Sequence, residues 1–368
     1  MKAIICGGGT AGHVTPGIAV AETILMHQPG SDILFIGREG GNENRLVDAH
    51  KLKMSTIEIK GFSRKSVVKN FKNAVVAIKA LRRSKQIIDE FKPDIVIGTG
   101  GYVCWPVLRA AQGRKIPTMI HESNVVPGLT TKLLYSKCYR TLLNFPGSES
   151  QFKKKENLIV VGNPILASLK SETRDSARRK LGISKNDFVI LSFGGSGGAE
   201  LLNKNVIDLM MNYSAKRARI KHIHACGKKY YEAIEKVYPT LTAGRNGCKI
   251  YAFIDNMPLY LRAADIAICR CGAMTLSEVA ASGVVPILIP SPNVTDNHQY
   301  KNGRLFSDAG AGIMIEEHDL SERRLLDAVR SLESDKEFYK STQNALKSFS
   351  ITNSDELIWR EIQKALPK

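Results

Sequence analysis

The chain has no apolar run approaching the roughly 18 to 20 residues that a bilayer span requires, which excludes a membrane-spanning helix. It also lacks the CxxC pairing of a structural metal site. Seven cysteines remain, an odd number, so they read as free thiols in a reducing compartment. No repeat of 20 to 50 residues and no low-complexity tract beyond a short lysine-rich KKKE is present, which excludes a solenoid or a disordered tail. MKAIIC enters a glycine-rich loop too early to serve as a secretory leader, so a cytoplasmic location is expected. Acidic residues are few: 35 Asp and Glu stand against 53 Lys and Arg, a net charge of +18. Total charge alone allows nucleic acid, anionic lipid or a phosphorylated substrate as partner.

Its distribution narrows the choice. From Lys60 to Lys85 the bases include Lys72, Lys79, Arg82 and Arg83, and no acid interrupts them. Val67, Phe71, Val75, Ile78 and Leu81 recur there at spacings of three and four, which predicts a basic amphipathic helix. Such a helix either rests on an anionic bilayer or packs on its own domain with a solvated basic face. Nucleic acid is not expected, because the segment has only two aromatic residues, Phe62 and Phe71, and no recognisable nucleic-acid module.

Two glycine-rich loops are the most informative features present, GGGTAGHVTPGIAVAE at 7–22 and GGSGGAELLN at 194–203. Each follows an apolar run and opens a helical pattern, so each stacks unpaired backbone N–H groups at the positive end of a helix, where anions bind. The apolar runs AIIC, ILFIG, DIVIG, PTMIH, FVILSF, IKHIHAC, DIAIC and VPILIP alternate with helical patterns. Continuously apolar strands separated by helices predict parallel sheets covered on both faces. The expected fold is therefore α/β: two doubly wound parallel-sheet domains, at 1–162 and 163–343, facing across a cleft that handles an anion. A helix at about 344–368 is expected to return to the first domain.

Gly7, Gly9 and Gly12 satisfy GxGxxG, but the second strand runs into Arg38 and Glu39, and nothing else supports a dinucleotide. His13 stands at the mouth of the following helix, where it either caps the loop or takes a proton from a hydroxyl. In the second half, Glu278 lies one turn into a helix that follows the strand DIAIC. There it either complements the helix dipole or accepts hydrogen bonds from a ribose diol. Asp296 and Asn297 are explained as helix caps, whereas Gln299 and Asn302 lie too far into the helix and suit sugar hydroxyls.

Seven motifs, GGGTAGHVTPGIA, GTGGYVCWP, HESNVVPGLTTK, VGNP, FGGSGGAELLN, FIDNMPLYLRAADIAICRCGAMTLSEVAASG and DNHQYKN, occur here in the order of the MurG family. The resemblance to these N-acetylglucosaminyltransferases, which make lipid II from lipid I, runs over essentially the whole length. It implies a GT-B-type architecture of two Rossmann-like domains and an inverting transfer from UDP-N-acetylglucosamine to the muramyl C4 hydroxyl. By that resemblance Ile254 meets the uracil, Glu278 the ribose, and Gly195, Ser196, Ala273, Met274 and Thr275 the diphosphate. Gln299 and Asn302 read the N-acetylglucosamine. Thr10, Gly12 and Asn124 are counted with the donor's surroundings, and Gly9, Tyr102 and His121 with the acceptor side. The base is His13 or Glu122. The basic amphipathic segment, with Val67, Phe71, Lys72, Val75, Ile78, Leu81 and Arg82, matches the family's membrane-touching part, implying anionic inner-leaflet phospholipids as partners. No DxD-like acidic pair stands out, so neither a metal nor a cofactor is expected.

Four departures from the family pattern bear on sugar selectivity: Ala11 in the first loop, Gly197 where glutamine is usual, Ile165-Leu166-Ala167 where an arginine commonly follows GNP, and His298. A diacylglycerol glycosyltransferase and a UDP-N-acetylglucosamine 2-epimerase stay open as readings of the same architecture.

Overall fold

The computed structural model describes residues 1–41, 43–60, 67–164, 169, 172–195 and 197–366, with side chains at all of these except 11, 43, 67–72 and 74. Ser196, Leu166 and the bases at 64 and 65 lie outside the described residues, as do the side chains of Val67, Phe71 and Lys72. The chain divides into two units, Met1–Ile165 with Thr352–Lys368, and Leu166–Ile351.

In the first unit seven strands form one sheet: β1 (Lys2–Cys6), β2 (Asp32–Arg38), β3 (Lys53–Ile57), β4 (Ile95–Gly98), β5 (Thr118–Glu122), β6 (Arg140–Leu143) and β7 (Leu158–Val160). Their order is β3-β2-β1-β4-β5-β6-β7, and every pairing is parallel. Successive side chains on β1 point to opposite faces, so Ile4 and Ile5 feed different cores. Ile5, with Phe35 and Ile97, meets Val14, Ile18 and Ile24 of the Ala11–His27 helix. Ile4, with Ile36 and Val96, meets Ala80, Ile87 and Ile88 of the Val67–Phe91 helix and Val107 and Leu108 of the Cys104–Gln112 helix. Burial on both faces is why these strands read as continuous apolar runs.

The chain's end also belongs to this unit. Ile358, Trp359 and Ile362 of the Ser354–Ala365 helix join the core on the Ile5 face. The His27 ring stacks on Trp359 with centroids 5.1 Å apart, and its Nε2 lies 3.1 Å from Glu356 Oε1. The sequence pattern ran as one helix from about 344. Instead the Lys336–Leu346 helix ends in the second unit, where Phe349 stacks on Phe306 at 4.2 Å.

The second unit holds six parallel strands, β8 (Phe188–Phe193), β9 (Ile220–Ala225), β10 (Cys248–Tyr251), β11 (Ile266–Cys269), β12 (Val285–Leu288) and β13 (Ile313–Met314), in the order β10-β9-β8-β11-β12-β13. Arg178, almost fully buried, donates to the carbonyls of Ala263, Ser184, Lys185 and Asp187 and to Asp265 Oδ2 at 2.8 Å. It thereby ties the Arg174–Lys180 helix to the start of the β8–β11 pair, where Asp265 Oδ2 also accepts the Val189 N–H.

Candidate functional site

In each sheet the strand order reverses direction at one place, between β1 and β4 and between β8 and β11. Ligands of doubly wound sheets bind beyond the carboxyl ends of the strands at such a reversal. Both glycine loops emerge there, directly after β1 and β8.

In the first unit two glycine loops interlock. Gly8 N donates to Gly100 O at 3.4 Å, and Thr99 N to Cys6 O at 2.9 Å. Gly100 and Gly101 have φ of 115° and 82°. A Cβ on Gly100 would collide with the His13 imidazole, and one on Gly101 with the Gly8 carbonyl, so only glycine allows this approach. Thr99, completely buried, donates from Oγ1 to the His13 carbonyl at 2.7 Å. It occupies space that Cβ atoms on Gly7 and Gly17 would fill. Behind the same loop Cys104 Sγ accepts the Gly100 N–H at 3.3 Å and donates to the Cys6 carbonyl at 3.1 Å. His13 itself is half-buried, while Gly9, Thr10 and Gly12 are exposed and Tyr102 is half-buried with its ring beside Gly9. The two glycine loops thus bring His13, Gly9, Thr10, Gly12 and Tyr102 together. Sequence reasoning missed Thr99 and Cys104; the signal was GTG before Tyr102, a threonine between glycines at a strand end.

Glu122 closes β5 and is buried. Its Oε1 accepts from Asn124 N at 3.1 Å and Asn124 Nδ2 at 3.3 Å; its Oε2 accepts from Gly128 N at 3.0 Å and Thr131 Oγ1 at 2.6 Å. Four donors occupy this carboxylate, which anchors the loop from 123 to 128 and the start of the Leu129–Leu134 helix. Its neighbour His121 is also buried; Nε2 donates to the Gly162 carbonyl at 2.9 Å, and Nδ1 accepts from Ser123 Oγ at 3.4 Å. Burial holds this imidazole below its ordinary pKa, with the neighbouring His13 a further, smaller push in the same direction.

The second unit presents mostly bare backbone. Gly195 has φ of 87° and is exposed, and the Glu200–Asn212 helix begins at Ala199 without a side-chain cap. The Ala273–Ser282 helix likewise begins at Gly272 without one, leaving the first-turn N–H groups of Ala273, Met274 and Thr275 outside the helix ladder. Ala273 and Ile254 are buried, Met274 and Thr275 half-buried. Glu278 is half-buried, and no described residue donates a hydrogen bond to its carboxylate or pairs with it. Desolvation pushes this carboxyl up to about 7.

Gln299 Oε1 accepts from Cys271 N at 3.2 Å and Ser291 N at 3.0 Å, so it bridges the loops after β11 and β12. Asn302 was expected to read a sugar. It is fully buried, and its Nδ2 donates to the Cys271 carbonyl at 3.2 Å, which places it behind the loop. All seven cysteines are buried free thiols.

On the Val67–Phe91 helix the inward residues are Ala77, Ala80, Ser84, Ile87 and Ile88, while Val75 and Ile78 are 49% and 53% exposed. Leu81 is half-buried, and Arg82 and Arg83 are exposed. Val75 and Ile78 therefore face away from the core, with bases beside them. Leu129 and Leu133, 56% and 59% exposed, add apolar surface to the same unit that the sequence pattern did not reveal.

Two doubly wound parallel sheets, each with a glycine loop at its reversal, have the layout of the GT-B architecture. Residues 3–143 match the glycosyltransferase family 28 N-terminal domain and residues 189–358 the glycosyltransferase family 28 C-terminal domain, and the chain belongs to that family. A relative from Acetivibrio thermocellus is 39% identical over 363 residues, covering 99% of this chain and 98% of the relative. One from Oenococcus oeni is 37% identical, covering 98% and 96%. Both are named UDP-N-acetylglucosamine–N-acetylmuramyl-(pentapeptide) pyrophosphoryl-undecaprenol N-acetylglucosamine transferase. Among solved structures, Acinetobacter baumannii MurG superposes with a TM-score of 0.77 at 26% identity, covering 99% of each chain. A UDP-GlcNAc 2-epimerase from Neisseria meningitidis shares the fold with a TM-score of 0.68 at 13% identity, covering 99% of this chain and 100% of its own.

Proposed function

We infer that this chain is the hexosyltransferase that moves N-acetylglucosamine from UDP-N-acetylglucosamine to the C4 hydroxyl of the N-acetylmuramyl group of lipid I, giving lipid II in peptidoglycan synthesis. The second unit holds the donor. Supporting this assignment is a single observation: a desolvated carboxylate, Glu278, with no protein partner among the described residues, one turn from an uncapped helix start. A partly desolvated carboxylate gains from a ligand that donates to it, and a ribose 2′,3′-diol supplies two donors. The N–H groups of Ala273, Met274 and Thr275, with those of the 194–198 loop including Gly195 and Ser196, cradle the diphosphate. Ile254 offers backbone to the uracil. With its oxygen committed to two N–H groups, Gln299 keeps its NH₂ to donate to a sugar hydroxyl. Asn302 works one layer back, by fixing Cys271.

The first unit binds the acceptor and supplies the base. His13, held by Thr99 and faced by Gly100, removes the proton from the attacking hydroxyl, which displaces the diphosphate from the opposite face and inverts the anomeric centre. Gly9, Thr10, Gly12 and Tyr102 surround that imidazole. Glu122 and Asn124 shape the adjoining loop, and His121 stays neutral within it. The exposed Val75 and Ile78, with Arg82 and Arg83 beside them, rest on anionic phospholipid at the cytoplasmic face of the membrane, each base near the surface contributing about 1 kcal/mol. No helix among the described residues is long and apolar enough to cross a membrane.

The deciding measurement is UDP release from UDP-N-acetylglucosamine with a lipid I analogue. Acceptor-dependent turnover is the expected result. Binding without turnover, or acceptor-free conversion to the manno sugar, would overturn the reading.

A further inference from the structure

The core of the second unit contains a chain of polar side chains that the donor-binding groups do not include. His222 and His224 lie on one face of β9, both fully buried, and Ser192 on β8 lies beside them. Ser214 Oγ is 3.0 Å from His222 Nδ1, and His222 Nε2 is 3.0 Å from Ser192 Oγ. Ser192 Oγ is 2.9 Å from His224 Nδ1, and His224 Nε2 is 3.1 Å from Asn203 Oδ1. Asn203 Nδ2 donates to the Cys226 carbonyl at 2.9 Å.

Chemistry fixes every proton in this chain. The Cys226 carbonyl can only accept, so the Asn203 amide must point its NH₂ there and its oxygen at His224. His224 therefore carries its proton on Nε2 and accepts at Nδ1. The Ser192 hydroxyl donates to that Nδ1; its alternative acceptor, the Ile223 carbonyl, is farther away at 3.4 Å. The Ser192 carbonyl, 3.1 Å from the same nitrogen, has no proton to give. Ser192 Oγ then accepts from His222 Nε2–H, and His222 Nδ1 accepts from the Ser214 hydroxyl. Burial pushes His222 down to about 3 and His224 to about 4, so both rings remain neutral at ordinary pH and the order is kept.

The far end of the chain meets the second glycine loop. A Cβ on Gly198 would overlap the Cys226 carbonyl oxygen, and one on Gly227 would come within 2.7 Å of Gly198 Cα. Gly198 N in turn donates to Gly195 O at 3.0 Å, closing the turn that opens the Glu200–Asn212 helix. Asn203 lies in that helix, and its backbone N–H returns to the Ala199 carbonyl at 2.8 Å.

We propose that Ser214, His222, Ser192, His224 and Asn203 form a proton-ordered relay that positions Gly198, and through it Gly195, for the donor's diphosphate, with His224 and Asn203 as its positioning residues. This rests on the assignment of the donor to the second unit. The relay touches no reacting atom; it holds the Cys226 carbonyl, and through it the backbone that receives the anion.

Calorimetric titration with UDP, together with steady-state kinetics, tests it on His224→Leu, His224→Gln and Ser192→Ala, with Glu278→Gln as reference. Losing one buried hydrogen bond that orients the loop should weaken UDP about tenfold in His224→Leu and raise the donor KM alike. Its kcat and acceptor KM should stay within about threefold, because the reacting groups are intact. His224→Gln, whose amide still donates to Asn203, should recover most of the affinity. A general loss of stability would instead lower the active fraction without moving the donor KM. If His224→Leu does not fold, Ser192→Ala decides, with about a threefold to tenfold loss expected. Wild-type UDP affinity in the variant that folds, or a His224→Gln as weak as His224→Leu, overturns the relay. Weakened binding in Glu278→Gln alongside normal binding in His224→Leu overturns the relay alone, whereas unchanged binding in Glu278→Gln overturns the donor-site assignment beneath it.

Discussion

The two sheet reversals use the same topology and fill it in opposite ways. After β1 the glycine loop is occupied by the protein's own side chains: Thr99 on the His13 carbonyl, the His13 ring against Gly100, and, after β5, a glutamate with four donors. After β8 and β11 neither helix start has a side-chain cap among the described residues, and the nearby glutamate has no described partner. A satisfied polar group organises structure; an unsatisfied one in a desolvated place is poised for a ligand. Glu122 and Glu278, both at strand ends or just beyond them, belong to these two different classes.

The largest effect that tests this contrast is on the chemical step. His13→Ala should lower kcat by about 10² to 10⁴ with the donor KM little changed, measured by UDP release. Glu122→Gln should behave differently, losing about 1 to 3 kcal/mol of stability in thermal unfolding as two donors lose their acceptor, with kcat per folded molecule within a few-fold. Normal turnover in His13→Ala with abolished turnover in a stable Glu122→Gln would reverse the two roles.

Glu278→Ala should weaken UDP about 10- to 100-fold, the value of one or two hydrogen bonds to a charged group. Its titration supplies a second measurement. The folded-state pKa of about 7 lies above the ordinary carboxyl value, so the native state holds this proton more tightly than the unfolded chain. The associated stability is fully present below about pH 4.5 and is lost as pH rises towards 7. Glu278→Gln should therefore melt with the wild type near pH 4 and be more stable at pH 8, by up to about 3 kcal/mol. UDP affinity of the wild type should fall as pH drops through 7, because the diol prefers the ionised carboxylate; a flat profile would sink the ribose contact. The smallest expected effect is that of Thr99→Val, a loss of about threefold to tenfold in kcat that Thr99→Ser restores. If His13→Ala and the double variant have equal kcat, Thr99 acts through His13.

Much of the fold was legible because burial on both faces leaves a written trace. AIIC, DIVIG, DIAIC and VPILIP all contain central strands. The strands the pattern did not reveal are β3, β6, β7, β10 and β13, and four of them lie at sheet edges. KMSTI and CKIY alternate with lysine and half-exposed positions, so they carry no continuous apolar run. The amphipathic stripe was visible as a period, but its direction was not. Val75 and Ile78 share that period with Leu81, and only packing against the Cys104–Gln112 helix shows that Ala77, Ala80 and Ser84 take the inward face.

By itself the sequence determined the family, the two parallel-sheet units and the two glycine loops, because strand burial and helix-start geometry are local and each writes its own short pattern. Tertiary structure alone decided which polar residues are spent and which are free. Whether a carboxylate meets four donors, as Glu122 does, or none among the described residues, as Glu278 does, depends on loops that converge from distant parts of the chain. The same holds for the His222–Ser192–His224–Asn203 relay, whose members are scattered over 33 positions or fewer of sequence but meet only when β8, β9 and one helix pack together.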